Sequence, residues 1–299
     1  MGASVADLYK AQVPKRYRRQ VLDMRVAFRN QVVPRRSLPD FLVIGAQRSG
    51  TSSLYKWLGQ HPFVLPSLRK ETEYFSLNFG RGEAWYRAHF PSLLRRRIFR
   101  ELRGHDALSF EATPYYLFHP LAPARVARLV PDAKLIVLLR NPVDRAYSHY
   151  HHMVRHGSET RSFEEAIKSE PERVAADIER LQVDPLHRSL AHHRFSYLGR
   201  GRYAEQLERW LAEFGRDRFL VLSSEELYAD PSSTYQQVLA FLGLPNAGSS
   251  GFRNHSYTSG ASAKHGPMPE EVRRWLMEEF EPENRRLFRL LQCDFGWNS

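Results

Sequence analysis

Cysteine is almost absent from this chain of 299 residues, which contains only Cys293. A single cysteine cannot form an intramolecular disulfide or a cysteine-rich zinc site, so we expect a protein of a reducing compartment. Long apolar runs are absent as well. No stretch approaches the roughly 20 residues that a membrane-spanning helix needs, and the N-terminus lacks the apolar core of a signal peptide. These absences predict a soluble protein, and we expect a cytoplasmic location.

Acidic residues are in short supply. The chain has 33 Asp and Glu against 44 Lys and Arg, which gives a formal net charge of +11. This excess favours anionic ligands such as nucleotides, acidic glycans, nucleic acid or anionic membranes, without choosing among them. With 42% hydrophobic residues and no internal repeat, the chain is long enough for one sizeable core. We predict one domain over residues 38–299, preceded by a basic helical extension over residues 1–37.

Two segments are rich in both basic and apolar residues. Residues 1–37 predict an amphipathic helix, which either makes peripheral contact with a membrane or an acidic partner, or packs on its own domain with a solvated charged face. The second outcome is the more common one. Residues 93–102 are rich in arginine, and the alternatives there are contact with an acidic acceptor or, more commonly, a solvated helix face.

A glycine-containing turn joins an apolar run at residues 41–44 to a segment with helical spacing of its apolar side chains at residues 54–58. This order indicates a strand, a phosphate loop and a helix. Backbone N–H groups at a helix N-terminus, with the positive end of the helix dipole, form an anion site. We predict that Ser49, Gly50, Thr51, Ser52 and Ser53 bind an anion, although such a loop can also do no more than cap its helix.

The loop departs from the ATP-binding template G-x-x-x-x-G-K-[ST] at one position. Gly45, Gly50 and Ser52 are in register, but Thr51 stands where the nucleotide-binding lysine belongs. A basic side chain is present instead at Arg48, from which it can reach a phosphate or a transferred group. We therefore predict a loop that binds phosphate but not ordinary Mg-ATP.

A second strand and helix come later in the chain. Residues 134–139 are apolar on both faces, which is typical of a central strand in a covered parallel sheet. Arg140 ends this run, and Pro142 opens a helix because its missing N–H costs nothing at that position. Ser148 follows two turns along the helix. We predict that Arg140 and Ser148 meet one phosphate, the arginine by charge and the serine by its hydroxyl.

Candidate acid–base residues occur in two places. Glu71 and Glu73 stand beside Lys70 at the predicted carboxyl end of a strand, where parallel sheets place ligand sites, although a solvated loop is the alternative. His149, His152 and His156 share one helix face. Since no carboxylate or cysteine accompanies them at a spacing suited to zinc, we predict a polar face over the active cleft and no metal.

The remaining pattern completes an α/β fold. Residues 201–214 form a strongly amphipathic helix, residues 218–222 a buried strand and residues 232–242 a further helix. Residues 248–269 are predicted to be a long loop, and two helices over 270–280 and 282–291 close the chain. We predict a three-layer P-loop-type fold with a central parallel sheet flanked by helices.

Taken together, these residues resemble the sulfotransferases that use 3′-phosphoadenosine-5′-phosphosulfate (PAPS), and within them the carbohydrate branch that includes heparan sulfate N- and 3-O-sulfotransferases. The resemblance runs from about Pro39 to the C-terminus. Residues 44–53 match the 5′-phosphosulfate loop, and residues 138–148 match the 3′-phosphate site. Residues 201–211 support it more weakly.

The resemblance implies a PAPS-dependent sulfotransferase that releases adenosine 3′,5′-bisphosphate (PAP), uses no metal, and sulfates a hydroxyl or amine of a glycan or glycolipid by in-line displacement. Glu71 matches the catalytic carboxylate, and His152 matches a histidine that faces the acceptor. Arg48 occupies the position of the family's loop lysine, and its guanidinium differs in geometry and cannot lose its proton. The implied donor-binding residues are Arg48, Ser49, Gly50, Thr51, Ser52, Ser53, Arg140, Ser148 and Lys264.

Two features depart from the family pattern. Lys264 matches the family's late nucleotide contact only loosely, because His265 and Gly266 differ from it. Eukaryotic members of this branch also carry a disulfide and a membrane anchor, and their absence here favours a bacterial-type cytoplasmic enzyme. The alternatives are a small-molecule P-loop kinase and a non-enzymatic basic module that binds nucleic acid or membranes. We expect no nucleic-acid partner, and the oligomeric state is not predicted.

Overall fold

A computed structural model describes residues 15–32, 36–246 and 267–297. Its centre is a five-stranded, all-parallel sheet in the order β2-β3-β1-β4-β5. The strands are β1 (Phe41–Gly45), β2 (Val64–Pro66), β3 (Leu108–Ala112), β4 (Lys134–Leu139) and β5 (Phe219–Ser223). The predicted α/β class, with a central parallel sheet flanked by helices, is confirmed.

Thirteen α-helices flank this sheet in the described residues. They are α1 (Lys15–Val32), α2 (Thr51–Leu58), α3 (Gly82–Arg87), α4 (Leu93–Arg103), α5 (Ala122–Leu129), α6 (Pro142–Arg155), α7 (Phe163–Lys168), α8 (Glu170–Val183), α9 (Leu190–Phe195), α10 (Tyr203–Glu213), α11 (Ser224–Ala229), α12 (Pro231–Leu242) and α13 (Glu270–Leu291). Among them, none combines the length and the apolar character that crossing a bilayer requires.

The three layers follow from the alternation of side chains along the two central strands. In β4, Leu135, Val137 and Leu139 pack on one face of the sheet with Leu207 and Trp210 of α10. The intervening β4 residues, Ile136 and Leu138, pack on the other face of the sheet. They belong to a cluster with residues of α2 and α12, namely Leu54, Trp57, Val238 and Leu239. Because successive strand residues point to opposite faces, a strand that is apolar throughout must be covered on both sides.

The end of the chain differs from the prediction. Residues 270–291 form the single helix α13, with Pro282 inside it, rather than two helices that meet at the proline. Val272, Leu276, Phe280 and Leu287 are all buried, before and after Pro282. Packing of one continuous apolar face therefore outweighs the backbone hydrogen bond that proline removes. The predicted loop over 248–269 lies mostly outside the described residues.

The helix α1 packs on the domain through one side only. Val26 is buried, and Arg29 lies against the backbone carbonyl of Ala88, which follows α3. Met24 and Phe28 remain 71% and 63% exposed. The helix α1 therefore packs on its own domain, which is one of the two alternatives predicted for this segment. This packing leaves apolar side chains exposed on the outer face of the helix.

Parallel pairing places the carboxyl ends of all five strands at the same edge of the sheet. The loop of residues 46–50 follows β1, Glu71 comes after β2, and Arg140 directly follows β4. Parallel α/β sheets bind their ligands at this edge. We refer to it as the carboxyl edge and to the opposite one as the amino edge.

Candidate functional site

The loop after β1 ends in a backbone conformation that favours glycine. Gly50 has φ of +98° and precedes α2, and a Cβ atom there would lie 2.5 Å from Leu227 Cδ2. As the N-cap residue, Gly50 has no side chain that could cap α2. The N–H of Ser53 already donates to the Gly50 carbonyl, so the N–H groups of Thr51 and Ser52 are the ones that would face an anion at the loop.

Hydroxyl groups surround the same helix start. Ser49 is fully buried, and its Oγ atom has no hydrogen-bond partner among the described residues. Thr51 and Ser53 are buried too, whereas Ser52 is half-buried. A buried hydroxyl without a partner is costly. The loop therefore fits a phosphate or sulfate oxygen that would accept hydrogen bonds from it.

Arg48 connects this loop to the unit formed by β4 and α6. Its Nε atom donates a hydrogen bond to Ser148 Oγ at 3.0 Å, and Arg140 Nη1 donates to the backbone carbonyl of Arg48 at 3.2 Å. The backbone of Arg48 is left-handed, with φ of +72°. Three residues that the sequence assigned to donor binding on two separate segments are thus brought together by direct contacts.

Positive charge is concentrated around Arg48. Burial first, and then the charges of Arg155 and Arg140, lower the pKa of Arg48 to about 10. The side chain is still cationic at neutral pH. Clustered, partly buried guanidinium groups require a counter-charge, so the site fits an anionic ligand. The sequence reading missed Arg155, which lies seven residues after Ser148 on α6.

A cavity of about 180 Å³ lies beside Arg48 at the carboxyl edge. It brings together the three residues predicted to be catalytic, Arg48, Glu71 and His152. Its other walls are formed by Gln47, Thr51, Ser52, Lys70, Glu73, Pro114, Tyr115, His193 and Arg200. Arg140 and Ser148 do not line the cavity, but each of them contacts Arg48, which does.

Glu71 is an exposed carboxylate at the end of an anchored segment. It pairs with Lys70 at 2.5 Å between Nζ and Oε1. The next residue, Thr72, is fixed to Glu111, a fully buried residue of β3, through a hydrogen bond of 2.6 Å from its hydroxyl. Three further hydroxyl groups donate to the Glu111 carboxylate, those of Tyr86, Thr113 and Tyr116. One buried carboxylate therefore positions the segment that carries Glu71.

Glu73 has an unusual position in the same segment. Its backbone is left-handed, with φ of +54°, and its side chain accepts a hydrogen bond of 2.5 Å from Ser76 Oγ. His193 Nε2 lies 3.6 Å from Glu73 Oε1. Burial raises the pKa of Glu73, but His193, Ser76 and Arg200 together bring it below its ordinary value. Glu73 is therefore an ionised carboxylate in the cavity wall.

Arg200 supports the loop from the opposite side of the cavity. It is 3% exposed, donates to Gln47 Oε1 at 2.7 Å and to the backbone carbonyl of His193 at 2.6 Å, and lies over the ring of Tyr115. Gln47 immediately precedes Arg48. The sequence reading missed both Arg200 and His193, since neither belongs to a local motif and both are about 150 residues from the loop.

The histidines of α6 do not form the single polar face that their spacing predicts. His149 is fully buried against Tyr197, because the segment after α9 covers that side of the helix. His152 lines the cavity, and its ring is 4.2 Å from that of His156. Within the described ranges, no group of three His, Cys, Asp or Glu side chains is arranged to hold a metal ion. Lys264 lies outside the described residues.

His152 is neutral over the physiological range. Burial, followed by the charges of Arg48, His156 and Arg155, lowers its pKa to about 3. A neutral imidazole has one donor and one acceptor nitrogen. Its expected part is therefore to hydrogen-bond a ligand that enters the cavity, and not to supply charge.

Comparison with known proteins gives consistent matches. The model of a family described as the sulfotransferase domain matches residues 38–286. Human heparan sulfate glucosamine 3-O-sulfotransferase 6 is 31% identical over 282 aligned residues, which cover 88% of this chain and 75% of that protein. Human bifunctional heparan sulfate N-deacetylase/N-sulfotransferase 3 is 32% identical over 281 residues, and the match covers 85% of this chain but 30% of that protein.

A solved structure supports the same relationship. The crystal structure of a sulfotransferase from Alicyclobacillus acidocaldarius aligns with a TM-score of 0.64 at 30% sequence identity, covering 88% of this chain and 100% of that one. The chain spans 30% of the bifunctional relatives in human and Caenorhabditis elegans. It therefore corresponds to one part of those larger proteins.

The loop geometry makes a prediction about stability. Gly50→Ala places a Cβ atom in a left-handed conformation and against Leu227, so we expect the free energy of unfolding in urea to fall by roughly 2–4 kcal/mol. Gly104→Ala is the matched control, because Gly104 has φ of +72° with open space around its Cβ position. We expect a loss of about 1 kcal/mol there. Equal losses in both variants would contradict the close contact at Gly50.

The environment of His152 makes a prediction about titration. By NMR, we expect the His152 ring to titrate far below the ordinary histidine pKa of about 6.5 in the free protein. Its pKa should rise when PAP binds, because the anion offsets the positive charges of Arg48 and Arg155. The spectrum of His152→Gln assigns the signal. An unchanged or lowered pKa in the presence of PAP would place the anion elsewhere.

Proposed function

The chain belongs to the sulfotransferase domain family, and on that basis we propose that it transfers a sulfuryl group from PAPS to a hydroxyl or amine of a carbohydrate or glycolipid. Members of this family are PAPS-dependent enzymes, so the kinase and the non-enzymatic module are set aside. The observation that carries the proposal is the contact of Arg48 with Ser148 and Arg140, beside a cavity that contains Glu71.

We assign the two ends of the donor to the two strand ends. The N–H groups of the loop after β1, with the hydroxyl groups of residues 49 and 51–53, would hold the 5′-phosphosulfate. Arg140 and Ser148 would hold the 3′-phosphate, which distinguishes this donor from ATP. Two observations support the fit: the unpartnered Ser49 hydroxyl and the glycine without a capping side chain at the N-cap of α2.

The reaction is a displacement at sulfur. The acceptor oxygen or nitrogen forms a new bond to sulfur as the bond from sulfur to the bridging oxygen of the donor breaks. We assign to the Glu71 carboxylate the proton that the acceptor loses. Arg48 stabilises the negative charge that develops on the leaving PAP, and as a guanidinium it does so by charge and hydrogen bonds alone.

Charge explains why this proposal assigns no step to a metal ion. A transferred sulfuryl group carries less negative charge than a phosphoryl group, for which kinases recruit Mg²⁺. Arg48 and the loop N–H groups supply positive charge and donors at the leaving group. The charges of Arg140 and Arg155 make the electrostatic potential at Arg48 more positive. Positioning of the acceptor near Glu71 then supplies much of the rate enhancement.

The cavity wall supports a carbohydrate acceptor. Two carboxylates, Glu71 and Glu73, and two histidines, His152 and His193, lie around it with the aromatic ring of Tyr115. Sugar hydroxyl groups donate to carboxylates and hydrogen-bond to imidazole nitrogens. The relatives named for heparan sulfate support the same class. Because Lys70 pairs with Glu71, an acceptor that hydrogen-bonds Glu71 must compete with that ion pair.

A substitution at residue 71 tests the base. Glu71→Gln keeps the shape of the side chain but removes its basicity, so we expect kcat to fall by roughly 10²–10⁴-fold while PAP binding by calorimetry is unchanged. The assay uses radiolabelled donor and the acceptor found by screening glycans and glycolipids. Glu83→Gln, at an exposed carboxylate that pairs with Arg87, is the control. Normal turnover in Glu71→Gln would reject the base, and a screen without any transfer would reject the acceptor class.

A substitution at residue 140 tests the 3′-phosphate assignment. Arg140→Ala should weaken binding of PAP by roughly 10–100-fold, because a charge-assisted hydrogen bond is lost. Binding of AMP, which lacks the 3′-phosphate, should change much less. Arg180→Ala, at an exposed arginine of α8, should affect neither ligand. Equal weakening of both ligands by Arg140→Ala would show that Arg140 acts on the loop through the Arg48 carbonyl and does not bind the 3′-phosphate.

A further inference from the structure

The amino edge of the sheet, opposite the site, carries a second basic surface. The helix α4 is fixed there, since Arg96 pairs with Asp40 at 3.0 Å and Asp40 immediately precedes β1. Ser92, which caps α4, forms an isolated backbone bridge with Arg36. The cavity that contains Arg48 lies instead at the carboxyl edge.

An aliphatic stripe runs along the solvent side of α4. Leu94, Ile98 and Leu102 are four residues apart, so they share one face of the helix, and they are 66%, 45% and 77% exposed. No residue of α4 is buried. The side that faces the domain is marked by Arg96 and by Phe99, whose ring contacts Phe63. Three aligned aliphatic side chains in water are unfavourable in an isolated protein and indicate an interaction surface.

Arginine accompanies this stripe throughout its length. The eleven residues of α4 include five arginines and one glutamate. Arg95 and Arg97 lie on the two sides of the stripe near its start. Arg97 pairs with Glu101 at 2.8 Å, and Arg100 lies 3.8 Å from Asp106. Arginine remains in excess, so this helix combines an exposed apolar face with a net positive border.

The helix α1 also leaves two apolar side chains exposed, those of Met24 and Phe28, which are four residues apart. We define the amino-edge surface by α4 alone, as Leu94, Ile98 and Leu102 with the arginines around them.

The groove next to α4 has the same character. Leu93 and Arg96 of α4 form part of the wall of a cavity of about 500 Å³. Further basic side chains in its wall are those of Arg36, Arg87 and Lys134. Asp40 and Asp132 also line it, so the groove is mixed in charge with an excess of basic side chains.

We propose that the amino-edge surface docks on an anionic phospholipid bilayer, with α4 lying in the membrane interface. Short helices with an apolar face and a basic border bind in this way, because the apolar side chains enter the acyl boundary and the arginines pair with anionic headgroups. A polyanionic glycan or nucleic acid would use the arginines but leave Leu94 and Leu102 in water. The proposal goes beyond the sulfuryl transfer and does not depend on it.

Docking at the amino edge fixes the orientation of the enzyme. The cavity with Glu71 lies at the carboxyl edge, at the opposite end of the strands from α4. It therefore faces away from the membrane to which the protein is bound. The docked enzyme would act on acceptors that extend into the aqueous phase. A variant of α4 should accordingly retain transfer to a soluble acceptor.

Vesicle co-sedimentation of the full chain tests the docking. We expect binding to vesicles of phosphatidylcholine with phosphatidylglycerol, and little binding to phosphatidylcholine alone. Binding should weaken as salt rises, because the electrostatic part is screened. Absence of binding to the phosphatidylglycerol vesicles at low salt would overturn the proposal.

Paired variants separate the two contributions. Leu94→Ser with Leu102→Ser should weaken binding by roughly tenfold through lost apolar burial, and Arg95→Gln with Arg97→Gln by roughly 25-fold, or about fivefold for each arginine. Val183→Ser with Leu186→Ser is the apolar control, since these side chains are 83% and 58% exposed. Arg285→Gln with Arg289→Gln is the charge control, because Arg285 pairs with Glu281 as Arg97 pairs with Glu101.

The pattern across the variants decides the occupant. Loss of vesicle binding in both α4 variants, with both controls unchanged, supports a bilayer. Loss only in the arginine variant would overturn the insertion of α4, because vesicle binding would then be electrostatic alone. If the unaltered chain did not bind vesicles, and the leucine variant lost binding to a protein partner, the surface would be a protein-binding site and the membrane proposal would be overturned. Circular dichroism and transfer activity of each variant confirm that folding is retained.

Discussion

The hydrogen bond from the Arg48 guanidinium to the Ser148 hydroxyl joins the loop after β1 to the helix α6. It forms only because β1 and β4 are adjacent and parallel, so that the loop after one strand and the helix after the other meet at one edge. The rest of the cavity is arranged around this contact. Arg200 holds Gln47 from one side, and Glu111 holds the segment of Glu71 from the other.

Those parts of the fold and site that depend on local pattern were predictable from the sequence. The apolar run of β4 indicates a covered central strand, and the turn after β1 indicates an anion loop. Because parallel strands share a carboxyl edge, Arg48 and Arg140 are expected near each other even though 92 residues separate them. The sequence did not show that they touch, with Arg140 bonded to the backbone of Arg48.

Residues placed by tertiary packing were not predictable. Arg200 and His193 come from a part of the chain without a phosphate-binding motif, and only the fold brings them to the cavity. His149 and His152 occupy equivalent positions in a helical pattern, yet Tyr197 covers the first and the cavity exposes the second. Pro282 was expected to end a helix, but buried neighbours on both sides keep α13 continuous. In each case the deciding neighbour is distant in sequence.

The anchoring of Thr72 to Glu111 has a consequence for how such enzymes diverge. We assign the donor to residues that follow β1 and β4, and the acceptor to the segment after β2 and the region of His193. Because the buried Glu111 holds Thr72 by a hydrogen bond, substitutions at neighbouring residues can be tolerated without displacing the backbone that presents Glu71. Related enzymes can therefore change their acceptor specificity during evolution while they keep the same sulfate donor.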